Sequence, residues 1–468
     1  MKLTLRDLLH IRHSAAIGTE NPKKFVVTGV STDSRKTRPG DVFIAIRGDQ
    51  FDGHNFLTKA LEAGAAAVVV EKRWADANAS MMISIRQLRI VVENSVTALG
   101  ELATTYRRKF SIPVVAVGGS NGKTTTKDMI TAVLATKYAV LATEGNLNNQ
   151  FGVPQTLFRL EKKHQIAVLE MGTNHPGEIE TLCRIAEPTH GLLTNIGREH
   201  LEFFGSLQGV ARAEGELFAW LKENGGEILV NDSDARIRTL GKRARKRTTY
   251  GWSTGRLDVG GRFRGLNVRG CATVRVKPKG KRAFDVELSV PGEHNAANAL
   301  AAAAVGLSFR IPVASIRQAL LRFSASSKRM QVQNLNGIVI LNDTYNANPD
   351  SVLAALETVA AMKGRGKKIA VLADMLELGS TSDEEHRRIG KAVGKYGVDT
   401  LLTYGERAAL IGETAAVPSK LHFAQKAELA DHLAGLLAEG DIVLIKGSRG
   451  MKMEEIIASL SERFHKAA

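Results

Sequence analysis

From Val114 the chain reads VVAVGGSNGKTTTKDMI. An apolar β-branched run, a glycine turn and a helical pattern opened by Lys123 and Thr124 follow one another, the order that aims backbone N–H groups and a helix N-terminus at an anion. Gly119, Ser120, Asn121 and Gly122 make the turn. Its glycines let the backbone approach phosphate, Lys123 puts a point charge on β/γ oxygens, and the hydroxyl of Thr124, followed by Thr125, is placed to bind Mg²⁺. The turn is shorter than the general G-x-x-x-x-G-K-[ST] pattern, because Val117 and not glycine stands five residues before Gly122. Strand, turn, Lys-Thr and helix are still in register, so a nucleoside triphosphate site is expected here.

Two further side chains stand where such a site would use them. Glu170 ends the strand pattern IAVLEMG, and ligands of open α/β sheets collect at the carboxyl ends of strands. In a sheet that also carries the phosphate turn, Glu170 is expected to be a metal ligand. His200, in TNIGREHLEFFG, follows another strand end. The residues alone leave open whether it is a hydrogen-bonded structural histidine or a neutral imidazole ligand.

The elements that must position these groups point to an α/β protein. At 468 residues the chain is too long for one ordinary core, and three domains are expected. Hydrophobic content of 44% suits a soluble protein. No apolar run approaches the ~20 residues of a membrane span and no signal-peptide core follows Met1, so a cytoplasmic protein is expected. Cys183 and Cys271 have neither the number nor the spacing of a disulfide framework or zinc site and read as packing thiols.

From Phe25 to Lys72, FVVTGV, DVFIAI and AAAVVVEK alternate with turns and one helical stretch. From Pro113, the strands VVAVG, AVLAT, IAVLEMG, HGLLTNIG and GEILVND alternate with amphipathic helices in the βαβ rhythm of a mostly parallel sheet. Between Arg256 and Val290 short alternating strands suggest an antiparallel appendage. After Pro312 a second βαβ series (GIVILND, KKIAVLAD, DTLLTYG, DIVLIKG) reads as a Rossmann-like domain. The expected domains are 1–95, 96–312 and 313–468.

The excess of 64 Lys and Arg over 48 Asp and Glu, +16 in all, favours anionic partners without choosing among them. The densest run, KRARKR at 242–247, reads as a solvated basic face; no aromatic residues interleave with it as a stacking platform for nucleic acid would require.

Taken together, the phosphate turn, LEMG with Glu170, TNIGREHLE with His200, GEHNAANALAA from Gly292 and SKRM with Arg329 resemble the Mur ligase family nearly end to end. That resemblance implies ATP-dependent amide-bond formation in peptidoglycan precursor synthesis by a UDP-sugar-binding domain, a central ATPase domain and a Rossmann-like C-terminal domain. STDSRKTRPGDVFIAIRGDQFDGHNF resembles the later ligases, which accept a UDP-muramoyl peptide. No D-N-P-R tetrapeptide, which often holds diaminopimelate in one of them, occurs. GNLNNQFGVPQTL, NDTYNANPDSVLAALETV and LADMLELG instead resemble the branch that joins D-alanyl-D-alanine to UDP-N-acetylmuramoyl-tripeptide.

By the same resemblance Lys123 and a first Mg²⁺ held by Thr124 and Glu170 bind ATP, and a second ion near His200 brings the peptide carboxylate to the γ-phosphorus. The resulting acyl phosphate is then captured by the amine. One position departs from the family. Where many members carry a carbamylated lysine, the stretch ARAEGELF places Glu214. Its carboxylate either replaces the carbamate directly, acts through water, or is an ordinary helix residue; as a metal ligand it would make activity independent of bicarbonate.

Other sites follow by match. Asn295 and Asn298 are expected at adenine or ribose, although the first asparagine of HNAAN also reads as a helix cap. Arg329 and Asp343 would reach ATP from the next domain. Ser34, Arg35, Gly48, Asp52, Gly53 and His54, with Asn146, Asn148 and Asn149, are expected at the UDP-sugar peptide. Tyr345, Asn346, Asn348, Pro349, Lys446, Ser448 and Arg449 are expected at the incoming dipeptide. A monomer without nucleic-acid partners is expected. The competing readings are a folylpolyglutamate-type ligase, against which residues 31–56 argue, and a P-loop ATPase acting on nucleic acid.

Overall fold

The computed structural model describes residues 1–12, 14–18, 24–48, 51–253, 256–325 and 328–466. It divides into two compact units. One comprises Met1–Ala116, Tyr138–Thr173 and Gly177–Thr189; the other comprises Val117–Lys137, Asn174–Pro176 and His190–Ala468.

In the first unit, strands β1 (Ala15–Ile17), β2 (Gly29–Ser31), β3 (Asp41–Ile44), β4 (Ala67–Glu71) and β5 (Leu88–Val92) form a sheet of order β1-β5-β4-β3-β2. Every pairing is parallel except β1 with β5. The central strands read as continuous apolar runs because both their faces are covered: Val42, Phe43, Ile44, Val68, Val69 and Val70 are all buried. Helix α1 (Ser95–Arg107) begins at Asn94, whose side chain accepts from the Thr97 N–H at 2.8 Å.

Strand β6 (Val114–Gly118) carries the chain from the first unit into the second. In the first unit it is followed by β7 (Val140–Ala142) and β8 (Ile166–Glu170), which pair in parallel. The Ala167 N–H of β8 donates to the Pro113 carbonyl at 3.0 Å. Glu170 therefore ends a buried strand, as its place in IAVLEMG predicts.

The second unit continues from the end of β6. Beside it run β9 (His190–Leu193), β10 (Glu227–Asn231), β11 (Arg247–Gly251), β12 (Val259–Leu266), β13 (Cys271–Pro278) and β14 (Phe284–Pro291). Their order is β14-β13-β12-β11-β10-β9-β6. Pairings from β9 to β12 are parallel and those from β12 to β14 antiparallel, so the expected appendage is an extension of this sheet.

Helix α2 (Lys123–Leu134) springs from the glycine turn, α3 (Leu207–Glu223) follows the His200 loop, and α4 (His294–Ser308) packs on α2 through alanines and Gly306. A Cβ on Gly306 would lie 2.6 Å from a Val133 methyl, so the close approach of these helices requires its absence.

The same unit contains a six-stranded sheet of β15 (Gln331–Leu335), β16 (Ile338–Asp343), β17 (Lys368–Ala373), β18 (Thr400–Tyr404), β19 (Ser419–Phe423) and β20 (Ile442–Lys446), ordered β15-β16-β20-β17-β18-β19. It is parallel except at β15. Helices α5 (Pro349–Ala361) and α6 (Ser382–Val393) belong to it. The four strands read from sequence are β16, β17, β18 and β20. The two edge strands have too little apolar sequence to announce themselves. Cys183 and Cys271 are both buried.

Candidate active site

The turn after β6 is shaped by two glycines at positive φ, Gly119 at 105° and Gly122 at 80°. A Cβ on Gly119 would lie 2.4 Å from the Thr194 hydroxyl and 2.6 Å from its amide nitrogen, so only glycine fits. Ser120 N–H donates to the Asn195 carbonyl at 2.8 Å, and Asn121 N–H to Asn195 Oδ1 at 3.1 Å. Gly197 N–H donates to Ser120 Oγ at 2.8 Å. The loop of TNIGREH thus fixes the turn while α2 begins behind it. Helix geometry leaves the first-turn N–H groups of α2 without an acceptor inside the helix, the arrangement that receives an anion. Thr124 is buried in that first turn and Thr125 half-buried.

Two carboxylates lie under this turn. Glu214, on α3, is fully buried, and its Oε2 accepts from the Gly119 N–H at 2.7 Å. Burial pushes its carboxyl up to about 8, against the pull of the Lys123 ammonium and with Glu199 adding to the push. Glu199, which sequence reasoning passed over, stands 3.1 Å from Lys123 Nζ. Lys123 also donates to the Ser120 carbonyl at 3.2 Å. Glu199 Oε1 and Glu214 Oε1 are buried without a hydrogen-bond partner among the described residues.

His200 has a positive φ of 46°. Its Nδ1 lies 2.7 Å from Glu377 Oε2, which the imidazole holds below the usual carboxylate range. Beside it, Arg198 donates from its backbone N–H to Asp350 Oδ2 at 2.9 Å and from its guanidinium to Asp350 Oδ1 at 3.1 Å, with Glu385 at 3.3 Å. Asn348, which caps α5, donates to Asn121 Oδ1 at 2.9 Å. The glycine turn, the His200 loop and the start of α5 are therefore joined.

Asn295 and Asn298 are buried on α4. Asn298 donates to Asn295 Oδ1 at 3.0 Å and accepts from Thr126 Oγ1 at 3.1 Å; Asn295 donates to the Pro291 carbonyl at 2.7 Å. The helix is capped by Glu293 without a side-chain bond, so the capping role open to Asn295 in the sequence is not the one it has.

A second cluster lies at the carboxyl ends of β16 and β20. Lys446, buried, pairs with Asp343 at 2.5 Å and donates to the Asn346 carbonyl at 2.9 Å. The Arg329 guanidinium carbon lies 3.7 Å from the centre of the Tyr345 ring, and that of Arg449 lies 5.7 Å from it. Ser448 Oγ donates to the Ala347 carbonyl at 3.2 Å. Of the residues expected at the dipeptide and the nucleotide, Arg329, Asp343, Tyr345, Asn346, Lys446, Ser448 and Arg449 lie in this cluster, whereas Asn348 is bonded to Asn121 of the glycine turn and Asn295 and Asn298 lie on α4. Ser327, the first residue of SKRM, lies outside the described residues.

In the first unit, Asn148 Nδ2 donates to Glu170 Oε1 at 2.8 Å, while Glu170 Oε2 is buried and has no partner among the described residues. Asn149 Oδ1 accepts from the Phe151 and Gly152 N–H groups, and the Asn146 carbonyl from that of Asn148. Arg35 grips Asp33 through two bonds of 2.9 Å, holding that carboxyl down to about 2; the neighbouring Ser34 is buried. His54 Nδ1 stands 2.5 Å from Asp52, its Nε2 accepts from the Glu71 N–H at 3.0 Å, and its ring stacks on Trp74. Gly53 packs against the Ile46 backbone, and Gly48 N–H donates to the Phe51 carbonyl at 2.9 Å.

The chain matches three family descriptions in succession: the Mur ligase family catalytic domain over residues 26–107, the Mur ligase middle domain over 117–306 and the Mur ligase glutamate ligase domain over 328–449. It is 36% identical to the UDP-N-acetylmuramoyl-tripeptide–D-alanyl-D-alanine ligase of Bacillus subtilis over 93% of this chain and 94% of that one. The chain belongs to the Mur ligase family. The Escherichia coli ligase of the same name is also 36% identical, over 99% of both chains. Among Mur ligase structures, MurF from Acinetobacter baumannii superposes with a TM-score of 0.89 at 30% identity, covering 99% of both chains. MurF from Thermotoga maritima in complex with ADP gives 0.83 at 30% identity, covering 94% of this chain and 99% of that one. The Mur ligase middle-domain match contains the phosphate turn, Glu170, His200, Glu214, Asn295 and Asn298; the third match contains Arg329 to Arg449.

Proposed function

We propose that this protein joins D-alanyl-D-alanine to UDP-N-acetylmuramoyl-tripeptide at the expense of ATP, releasing ADP and phosphate, in peptidoglycan precursor synthesis. The observation that carries it is the end-to-end likeness to ligases of that name, with the phosphate turn built as such a reaction requires. The protein acts as a cytoplasmic monomer, with a peptide-binding domain at 1–95, an ATP-binding domain at 96–312 and a dipeptide-binding domain at 313–468.

Lys123 and the first-turn N–H groups of α2 bind the triphosphate, and Lys123 exchanges Glu199 for phosphate oxygens as ATP enters. Asn298 braces the turn through Thr126, and Arg329 and Asp343 approach the nucleotide from the second cluster. The acidic donors fit Mg²⁺, which takes one or two protein carboxylates and completes its shell with waters and phosphate oxygens. Thr124, His200 through Nε2, and Glu214 through its orphaned Oε1 would hold it in the second unit, and Glu170 keeps its ligand role through Oε2. When bound, the ion supplies charge neutralisation, since two unit charges at 4 Å repel by about 4 kcal/mol at an effective dielectric near 20.

The γ-phosphoryl passes to the tripeptide carboxylate, giving an acyl phosphate; the dipeptide amine attacks its carbonyl, losing a proton, and phosphate departs. Tyr345, Asn346, Asn348, Lys446, Ser448 and Arg449 position the dipeptide, whose carboxylate Lys446 and Arg449 attract. Ser34, Arg35, Gly48, Asp52, Gly53, His54 and the asparagines at 146, 148 and 149 serve the UDP-sugar peptide.

Incubation with ATP, Mg²⁺, D-alanyl-D-alanine and UDP-muramoyl tripeptides ending in lysine or diaminopimelate, followed by mass measurement, tests the reading. The expected product is the corresponding pentapeptide with one ADP per bond. ATP hydrolysis that ignores the muramoyl peptide and responds to nucleic acid would overturn it.

A further inference from the structure

The positive charge of the chain is not spread over it. Residues 236–282 carry 16 of its Lys and Arg residues and one acid, Asp258; the other 48 basic and 47 acidic residues nearly cancel. Eleven of the 16 are arginines, and all but Lys277 are exposed. Among the described residues only Arg238 and Arg275 of these form ion pairs, with Asp232 and Asp285. Lys246, Arg247 and Lys277 donate instead to the carbonyls of Gly225, Lys242 and Lys281, which leaves their charge uncompensated. Asp258 is turned inward, accepting from the Thr249 N–H and hydroxyl.

Strand register brings the densest parts together. KRARKR enters β11, and Arg247 pairs with Ile228 at the start of β10. At the other side, β12 begins opposite the end of β13, and Lys279 N–H donates to the Asp258 carbonyl, so the tip 279–282 lies at the starting end of β12. Because β11 and β12 are parallel, both segments occupy one edge of the sheet. The glycine turn lies at the opposite edge, where β6, β9 and β10 end. Arg262 and Arg275 are cross-strand partners, extending the charge from this edge along the outer sheet face.

We infer that this edge docks electrostatically on an anionic lipid bilayer. Lipid phosphates match exposed arginines, and a bilayer offers a broad surface to charges spread over a loop, a hairpin tip and a sheet face. Nucleic acid fits less well. Strands β12 and β13 are flanked by β11 and β14, so they are no free ribbon for a major groove, and among the described residues of 236–282 Trp252 is a lone exposed aromatic side chain that follows the end of β11, not a row interleaved with the charges to stack on bases. The exposed apolar residues Trp252 and Val268 follow the ends of β11 and β12, away from the basic edge, so docking proceeds without insertion and leaves the phosphate turn open.

Full-length protein is sedimented with vesicles of phosphatidylglycerol and phosphatidylcholine, with pure phosphatidylcholine vesicles and with duplex DNA, at about 0.05 M and about 0.5 M salt. Expected are retention on the anionic vesicles alone and release at high salt. The variant Arg243→Glu/Arg245→Glu/Lys279→Glu/Arg282→Glu should partition on the order of 100-fold more weakly, with unchanged melting temperature and unchanged ligation of soluble substrates. Equal retention on neutral vesicles, no retention on anionic ones, undiminished binding by the variant, or tighter retention on DNA at the same salt would each overturn the inference.

Discussion

Glu214 Oε2 accepts a hydrogen bond from the Gly119 N–H at 2.7 Å, which fastens α3 to the phosphate turn with a carboxyl group that has no exposure to water. A neutral side chain can keep this bond, whereas the negative charge that a carboxylate brings to a cation is lost with it. Glu214→Gln therefore separates the two duties. Retained melting temperature with kcat lowered about 100-fold or more is expected, together with wild-type activity in bicarbonate-free buffer. An active glutamine variant, or strong stimulation of the wild type by bicarbonate, would show that Glu214 only holds the turn.

Lys123 and Glu199 form an ion pair with 15% and 7% of their side chains exposed. Removing the ammonium leaves a buried carboxylate unopposed and deprives the triphosphate of its point charge. Lys123→Ala should lower kcat/KM by about 10²–10³, and Lys123→Ala/Glu199→Gln should recover stability but not turnover. Melting curves and steady-state kinetics of both variants decide this.

The central strands and the phosphate turn were legible because continuous β-branched runs and glycine spacing are local signals. The edge strand β19 was not: Ser419–Phe423 is exposed along nearly all its length, and its strand character comes from pairing with β18. The same limit explains Glu199. Its neighbour His200 was singled out, but the lysine it faces is 76 residues away, and only the folded sheet brings the two together. The acids that hold Arg198 and His200, Asp350, Glu385 and Glu377, lie still further along the chain. By contrast, the NDTYNANPD and IKGSRG stretches were picked out by their resemblance to the Mur ligase family, a strand-end glycine loop alone being a weak signal, and the structure joins them through Lys446 and Asp343.

Arg198 draws the start of α5 and the side of α6 onto the loop that braces the glycine turn. Arg198→Ala keeps the backbone bond to Asp350 and leaves Glu385 its pair with Arg388 at 2.8 Å, but removes the guanidinium that ties both acids to the loop. Faster hydrogen exchange in residues 195–200 and 348–352, and kcat/KM lowered about tenfold at an interaction cost of about 1–3 kcal/mol, are expected. Unchanged exchange would mean that the loop is held by its backbone bonds and not by the guanidinium.

Arg329 lies over the Tyr345 ring as a planar cation. Lysine lacks the plane, so Arg329→Lys should behave like Arg329→Ala and not like wild type. Both should raise KM for ATP or the dipeptide several-fold, with a stacking contribution of about 1 kcal/mol. Wild-type KM values for the lysine variant would reduce the contact to one of charge.

His386 is fully buried: its Nε2 accepts from the Met375 N–H at 3.0 Å and its Nδ1 lies 2.7 Å from the Ser382 carbonyl. Burial depresses its pKa below 6.5, although Ser382 and Asp374 pull the other way. The folded state therefore takes up this proton less readily than the unfolded chain. The stability it contributes is complete above the unfolded value near 6.5 and is lost as pH falls from there toward the folded value, at no more than ~1.4 kcal/mol per pH unit for one proton. Protonation would also turn Nε2 from acceptor to donor against the Met375 N–H, breaking the bond that holds the end of β17. Glutamine offers one donor and one acceptor at similar reach and does not titrate. Denaturant melts from neutral pH downward should show His386→Gln losing stability less steeply than wild type, and parallel slopes for the two proteins would place the acid sensitivity at another histidine.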